Sequence, residues 1–85
     1  MGKQTTQFSG TGVSDAITAT RGVMKISGAF VATIKLELAD GSTWVDDSTF
    51  TAPGAYPFNT EVPQVMRAEC SQYTSGTVTV TFDYR

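Results

Sequence analysis

The stretch from Ala29 to Ala39 constrains this chain more than any other. Phe30, Ala32, Ile34, Leu36 and Leu38 alternate strictly with Val31, Thr33, Lys35 and Glu37. A period of two puts the first set on one face of a strand and the second on the other. Wound as a helix, the same residues would scatter round the axis and bury Lys35 or Glu37. The segment reads as a strand with one buried face, and such a strand is stable only within a larger sheet.

The same rhythm recurs along the chain. Met66, Ala68 and Cys70 alternate with Val65, Arg67, Glu69 and Ser71, and Val78, Val80, Phe82 and Tyr84 alternate with Thr77, Thr79, Thr81 and Asp83. From Thr43 to Thr51 the pattern is weaker. Trp44 and Phe50 share a face with Val45 opposite, Trp44 reads as a core residue, and a bulge is expected near Asp46-Asp47. Between Asp15 and Ser27, Ile17 and Ala19 are separated from Val23, Met24 and Ile26 by Arg21-Gly22, which suits a tight turn or a bulge. Asp40-Gly41 is the residue pair preferred in a two-residue type I′ hairpin, and Ser75-Gly76 is expected to set a second hairpin. Pro57 makes Tyr56–Phe58 an edge strand or ordered loop, and Pro63 marks a further break.

Composition agrees. The 85 residues include 14 threonines and 7 serines but only two leucines, Leu36 and Leu38. Threonine, valine and aromatic residues suit a pleated, half-buried surface. The expected fold is all-β, an antiparallel β-sandwich or small barrel of six or seven strands. Residues 1–12 carry one aromatic among polar and glycine residues and read as a flexible N-terminal arm, with residues 13–85 as the single domain. Phe8 would anchor that arm on a partner, with Lys3 as its charge.

A chain of 9.1 kDa is near the lower limit for a self-sufficient core: by size scaling it exposes roughly 5,000 Å² when folded against about 13,000 Å² unfolded. One cysteine rules out an intrachain disulfide, so a homo-oligomer or permanent docking on a larger assembly is the expected support.

The same counts exclude several chemistries. With no histidine there is no Ser-His-Asp or Cys-His catalysis and no His-containing zinc site. No catalytic residue, cofactor or metal site is assigned. A net charge of −2, with six scattered basic residues, is a poor match to the phosphates of a nucleic acid. No apolar run reaches the ~18 residues of a membrane span, and the N-terminus lacks the apolar core of a signal peptide.

The remaining candidates concern partners. Tyr56, Phe58 and Tyr73 sit in or beside expected turns, where aromatic rings serve as contact platforms. With the arm residues Lys3, Gln4, Thr5, Thr6, Gln7 and Phe8 they form the expected partner-binding set. Asp46-Asp47 is the only adjacent acidic pair, and it reads as solvated charge rather than a calcium site. Cys70, on the apolar face of its strand, reads as a small buried hydrophobe; a lone thiol fits synthesis in a reducing cytosol.

Two stretches carry a resemblance. Ser27-Gly28-Ala29-Phe30-Val31-Ala32-Thr33-Ile34-Lys35-Leu36-Glu37-Leu38 is followed by Asp40-Gly41-Ser42-Thr43-Trp44-Val45. Met66-Arg67-Ala68-Glu69-Cys70 is followed by Tyr73-Thr74-Ser75-Gly76-Thr77-Val78-Thr79-Val80. Together they resemble small β-rich virion structural proteins of tailed bacteriophages. The region after Ser42 is a departure from that pattern. The resemblance implies a non-enzymatic virion protein, first of all a capsid decoration or cement protein that binds the major capsid protein or other virion proteins. The alternatives are a head–tail connector, tail or fibre-base subunit. A carbohydrate-binding β-sandwich module using Trp44, Tyr56 and Tyr73 is the reading from a different class. The implied location is the virion, after synthesis in the cytoplasm of a bacterial host.

Overall fold

The computed structural model describes residues 2–85, and over these the chain is all-β. Seven strands follow one another: β1 (Gly2–Phe8), β2 (Gly12–Val13), β3 (Ile17–Ser27), β4 (Phe30–Asp40), β5 (Thr43–Phe50), β6 (Gly54–Gly76) and β7 (Val78–Tyr84). All pairings are antiparallel, in the order β1-β7-β3-β6-β4-β5, with β2 on β6.

The long strand β6 organises the sheet. Its first part pairs with β3 (Ile26↔Gly54 to Ile17↔Met66) and its second part with β4 (Leu38↔Met66 to Phe30↔Gly76). Strands β7 and β1 extend the sheet beyond β3, and β5 extends it beyond β4. The sheet folds back on itself, and the inward residues of both parts share one core. Met24, Ile34, Met66, Val78, Val80 and Phe82 are fully enclosed there. All of these but Met24 are residues that the alternation assigned inward, because burying one face of every strand satisfies the period-two pattern and the backbone ladder together. The surface of 4733 Å² is close to what size scaling expects of a folded chain this small.

Several expectations change. Residues 2–8 are not a free arm. They form β1, paired with β7 in unbroken register from Gly2↔Tyr84 to Phe8↔Val78, and Phe8 is buried. The polar composition hid this because β1 borrows its ladder from a strand some seventy residues later, and one inward phenylalanine suffices to seat it. Met1 lies outside the described residues.

The β4–β5 turn is centred on Gly41-Ser42, since Asp40 pairs with Thr43. Gly41 has φ 64 and is the only central residue with positive φ, which is the signature of a type II′ turn rather than type I′. Nor does Ser75-Gly76 close a hairpin. It carries the chain from β6, where its partner is β4, to β7, whose partners are β3 and β1. The Gly28-Ala29 crossing from β3 to β4 runs beside it, and the Thr77 N–H donates to the Ala29 carbonyl at 3.2 Å. Gly28 (φ 112) and Gly76 (φ 91) are needed because a Cβ on either would strike the backbone of the other crossing.

Neither Gly22 nor Pro63 ends a strand. The β3–β6 register shifts between Ala19 and Arg21, and the extra residues bulge from β6 at 60–63. Pro57 is accommodated because that part of β6 is paired on its β3 side only. The bulge expected at Asp46-Asp47 is present, as a shift in the β4–β5 register between Leu36 and Glu37.

Candidate functional site

A groove of about 470 Å³ lies at the end of the sheet where β7 runs out. Its lining includes Arg21 and Gly22 of β3, Phe58 and Asn59 of β6, and Tyr84 and Arg85 at the end of β7. Local geometry opens it. Gly22 pairs with both Phe58 and Tyr84, and a Cβ there would collide with the Asp83 carbonyl and come within 3.0 Å of the Phe58 ring. The Tyr84 ring rests against Gly2, where a Cβ would occupy the same space. Phe58 meets Phe82 of the core edge-on, with ring centroids 6.3 Å apart. The floor is thus aromatic and continuous with the core.

The rim is cationic. The Arg85 N–H donates to the Arg21 carbonyl at 2.8 Å, the Arg21 N–H donates to the Arg85 carbonyl at 3.3 Å, and the Thr20 N–H adds a third bond to Arg85 at 2.6 Å. The backbones of the two arginines are therefore locked together, and like charges so placed repel. Among the described residues neither guanidinium forms an ion pair; Asp83, also at the groove, pairs with Lys25 at 2.7 Å. The Lys25 hydrogen bond holds the Asp83 carboxyl below its ordinary value against the opposing desolvation, with the Lys25 charge and then Lys3 adding to the effect. Asp83 is thus already engaged, and the two arginines are left to face outward.

A second polar cluster covers the outer side of β4, β5 and β6. Arg67 Nε donates to Glu37 Oε1 at 2.9 Å, and its guanidinium lies 4.1 Å from the centre of the Trp44 ring. Glu37 is buried under this cover. Trp44 is therefore half-buried against Arg67 rather than a member of the core, a correction to its expected place. The β4–β5 register explains it: Trp44 sits opposite Ala39, on the Glu37 side of β4, where a flat ring can cap an arginine. Lys35 bridges to Asp46 at 3.0 Å, while Asp47 accepts from the Ser48 hydroxyl at 2.8 Å, so the acidic pair is split by its bulge. The hydrogen bond and charge of Asp46 raise the Lys35 ammonium above its ordinary value.

The expected partner-binding residues divide. On β1, Lys3, Thr5 and Gln7 are exposed, Gln4 and Thr6 half-buried and Phe8 enclosed, so no single surface holds all six. Phe8 cannot anchor a partner without leaving the core. Tyr56 stacks on Phe50 at 4.1 Å between centroids and donates its hydroxyl to the Ala52 carbonyl at 2.8 Å. Tyr73 donates to the Gly76 carbonyl at 2.6 Å. Both tyrosines thus tie down turns of their own chain, and of the three aromatics only Phe58 lines the groove. Cys70 is buried beside Met66 and Ala68, and burial, then the Glu69 charge, pushes its thiol up. Arg21, Gly22, Tyr84 and Arg85 escaped the sequence reading because nothing local links positions 21 and 85. Comparison with protein-family models, curated proteins and solved structures finds no match for this chain.

Proposed function

We propose that this protein is a structural subunit of a tailed-phage virion, and more specifically a decoration or cement protein seated on the capsid shell. The observation that carries this reading is the state of the sheet edges. Strands β1 and β5 end the strand order, so each offers a row of backbone N–H and C=O groups to a neighbour. They differ in how open they are. β5 carries Asp46 and Asp47 at a bulge, a device that discourages further pairing. β1 runs through seven consecutive pairs with no bulge and no proline, and Lys3 is its one charge. A strand or extended arm of a shell protein would add to β1 through main-chain hydrogen bonds, and many identical copies would make a modest contact effective.

The decisive experiment strips the protein from its particle and adds it back while the thermal stability of the shell is followed. The shell should melt at lower temperature without it and recover on re-addition. A shell indifferent to its presence would remove the cement reading, and binding confined to tail or connector fractions would move the protein elsewhere in the particle. A glycan array separates off the carbohydrate-binding reading: signal there, lost in Tyr73→Ala, would replace the structural role.

A further inference from the structure

A strained, acidic, apolar-tipped bulge stands beside the cationic groove. At 60–63 β6 leaves its register with β3. Glu61 has φ 65 and is the only non-glycine residue with positive φ among those described. Its N–H donates to Asn59 Oδ1 at 2.9 Å, and the Thr60 hydroxyl shares its one hydrogen between the Thr20 carbonyl at 2.9 Å and the Val62 carbonyl at 2.8 Å. The backbone at the tip is therefore held, and it presents Glu61 and Val62 outward, Val62 being 55% exposed. Glu61 forms no ion pair among the described residues. The Thr60–Thr20 bond sets this tip one residue along β3 from Arg21, at the rim of the groove. A held non-glycine residue in the left-handed region marks a place where structure is kept at a local cost.

One end of the molecule thus carries two unpaired arginines around an aromatic groove, and beside them an unpaired carboxylate with an exposed valine. This is self-complementary. A two-fold axis between two copies brings each patch onto the other, as an isologous interface requires. We infer that a second copy of this chain docks here. The Glu61 carboxylate of each copy then sits on Arg21 and Arg85 of the other, and each Val62 covers the Phe58–Tyr84 groove opposite. Opposite charge neutralises the repulsion within the arginine pair, and the apolar groove is withdrawn from water. This pairing is independent of any particle and leaves the β1 edge free.

Sedimentation equilibrium of the full chain at low salt tests it. The mass should rise with concentration from the 9.1 kDa of one chain toward twice that value, and salt of about 1 M should shift the equilibrium back by screening the pairs. Glu61→Arg should weaken the dimer at least about tenfold with an unchanged circular dichroism spectrum. Adding Arg21→Glu and Arg85→Glu to it reverses every charge and should recover the dimer. If Glu61→Arg does not fold, Glu61→Gly keeps the turn, removes the carboxylate and must show the same direction of loss. A folded wild type that stays at single-chain mass overturns the inference. So does a dimer indifferent to the Glu61 variants, or one that the triple reversal fails to recover.

Discussion

At the scale of single residues, stability rests on a few enclosed groups whose chemistry admits little substitution. Ile34 is fully buried between both parts of the sheet, so Ile34→Asp puts an unpaired carboxylate in the core. A cost of roughly 4 kcal/mol or more follows, enough to unfold a chain of this size, as loss of the β circular dichroism signal would show. A soluble, cooperatively melting Ile34→Asp variant would mean that the inward face of β4 is wrongly assigned. Arg67→Ala removes the ion-pair partner of buried Glu37 and should cost about 3 kcal/mol. Because Trp44 is the single tryptophan and lies under that guanidinium, its fluorescence should change in the same variant. Unaltered emission with unaltered stability would remove the stack. Cys70, enclosed and with its thiol pushed up, should resist a thiol reagent in the native state and react promptly in denaturant. Fast native labelling would contradict its burial.

At the scale of elements, β1 changes what truncation does. A free arm could be removed without harm to the fold, but β1 supplies seven ladder pairs and the buried Phe8. Deletion of residues 2–8 exposes one edge of β7 and opens the core beside Val78, so the melting temperature should fall sharply or the fold be lost; Phe8 alone accounts for about 2–3 kcal/mol. An unchanged melting curve would restore the arm. The elements also show why parts of the fold were readable and parts were not. The faces of β4, of residues 66–70 and of β7 followed from alternation, a local property that every buried-face strand must have. β1 has no alternation of hydrophobic residues to read, and its partner lies at the other end of the chain. The Asp40-Gly41 signal found the hairpin but misplaced its centre by one residue, because cross-strand register decides which residues form the loop. Ser75-Gly76 is a turn signal of the same kind, yet it serves a crossing, since the sequence does not say which strand receives the chain afterwards.

At the scale of the whole molecule, charge pairs on the outer faces set the response to pH. The Asp83 carboxyl is depressed in the folded state, so its contribution is full above the ordinary carboxylate pKa of about 4 and is lost as pH falls below it toward the folded value. Lys35 is raised, so its contribution is full below the ordinary lysine pKa of about 10.4 and is lost as pH rises through the higher folded value. Both groups are exposed and both effects are small. The urea midpoint should therefore be flat around neutrality and decline as the pH falls below the ordinary carboxylate range, and Asp83→Asn should make that decline slightly shallower; an acid limb unmoved by that substitution would assign it to other carboxylates.

The alternation of side chains determined on its own that this chain is all-β, which faces are buried on its most regular strands, and that Cys70 lies inside. These are short-range consequences of the two-residue repeat, and no knowledge of partners is needed to draw them. Tertiary structure alone decided that the N-terminal segment is a strand, that Trp44 caps an ion pair, and that Arg21, Phe58 and Arg85 meet at one groove. Each depends on contacts between residues far apart in the chain. Such contacts follow from strand order and register, which the burial of one face of every strand and the turns between strands fix jointly over the whole sheet, not within any one segment.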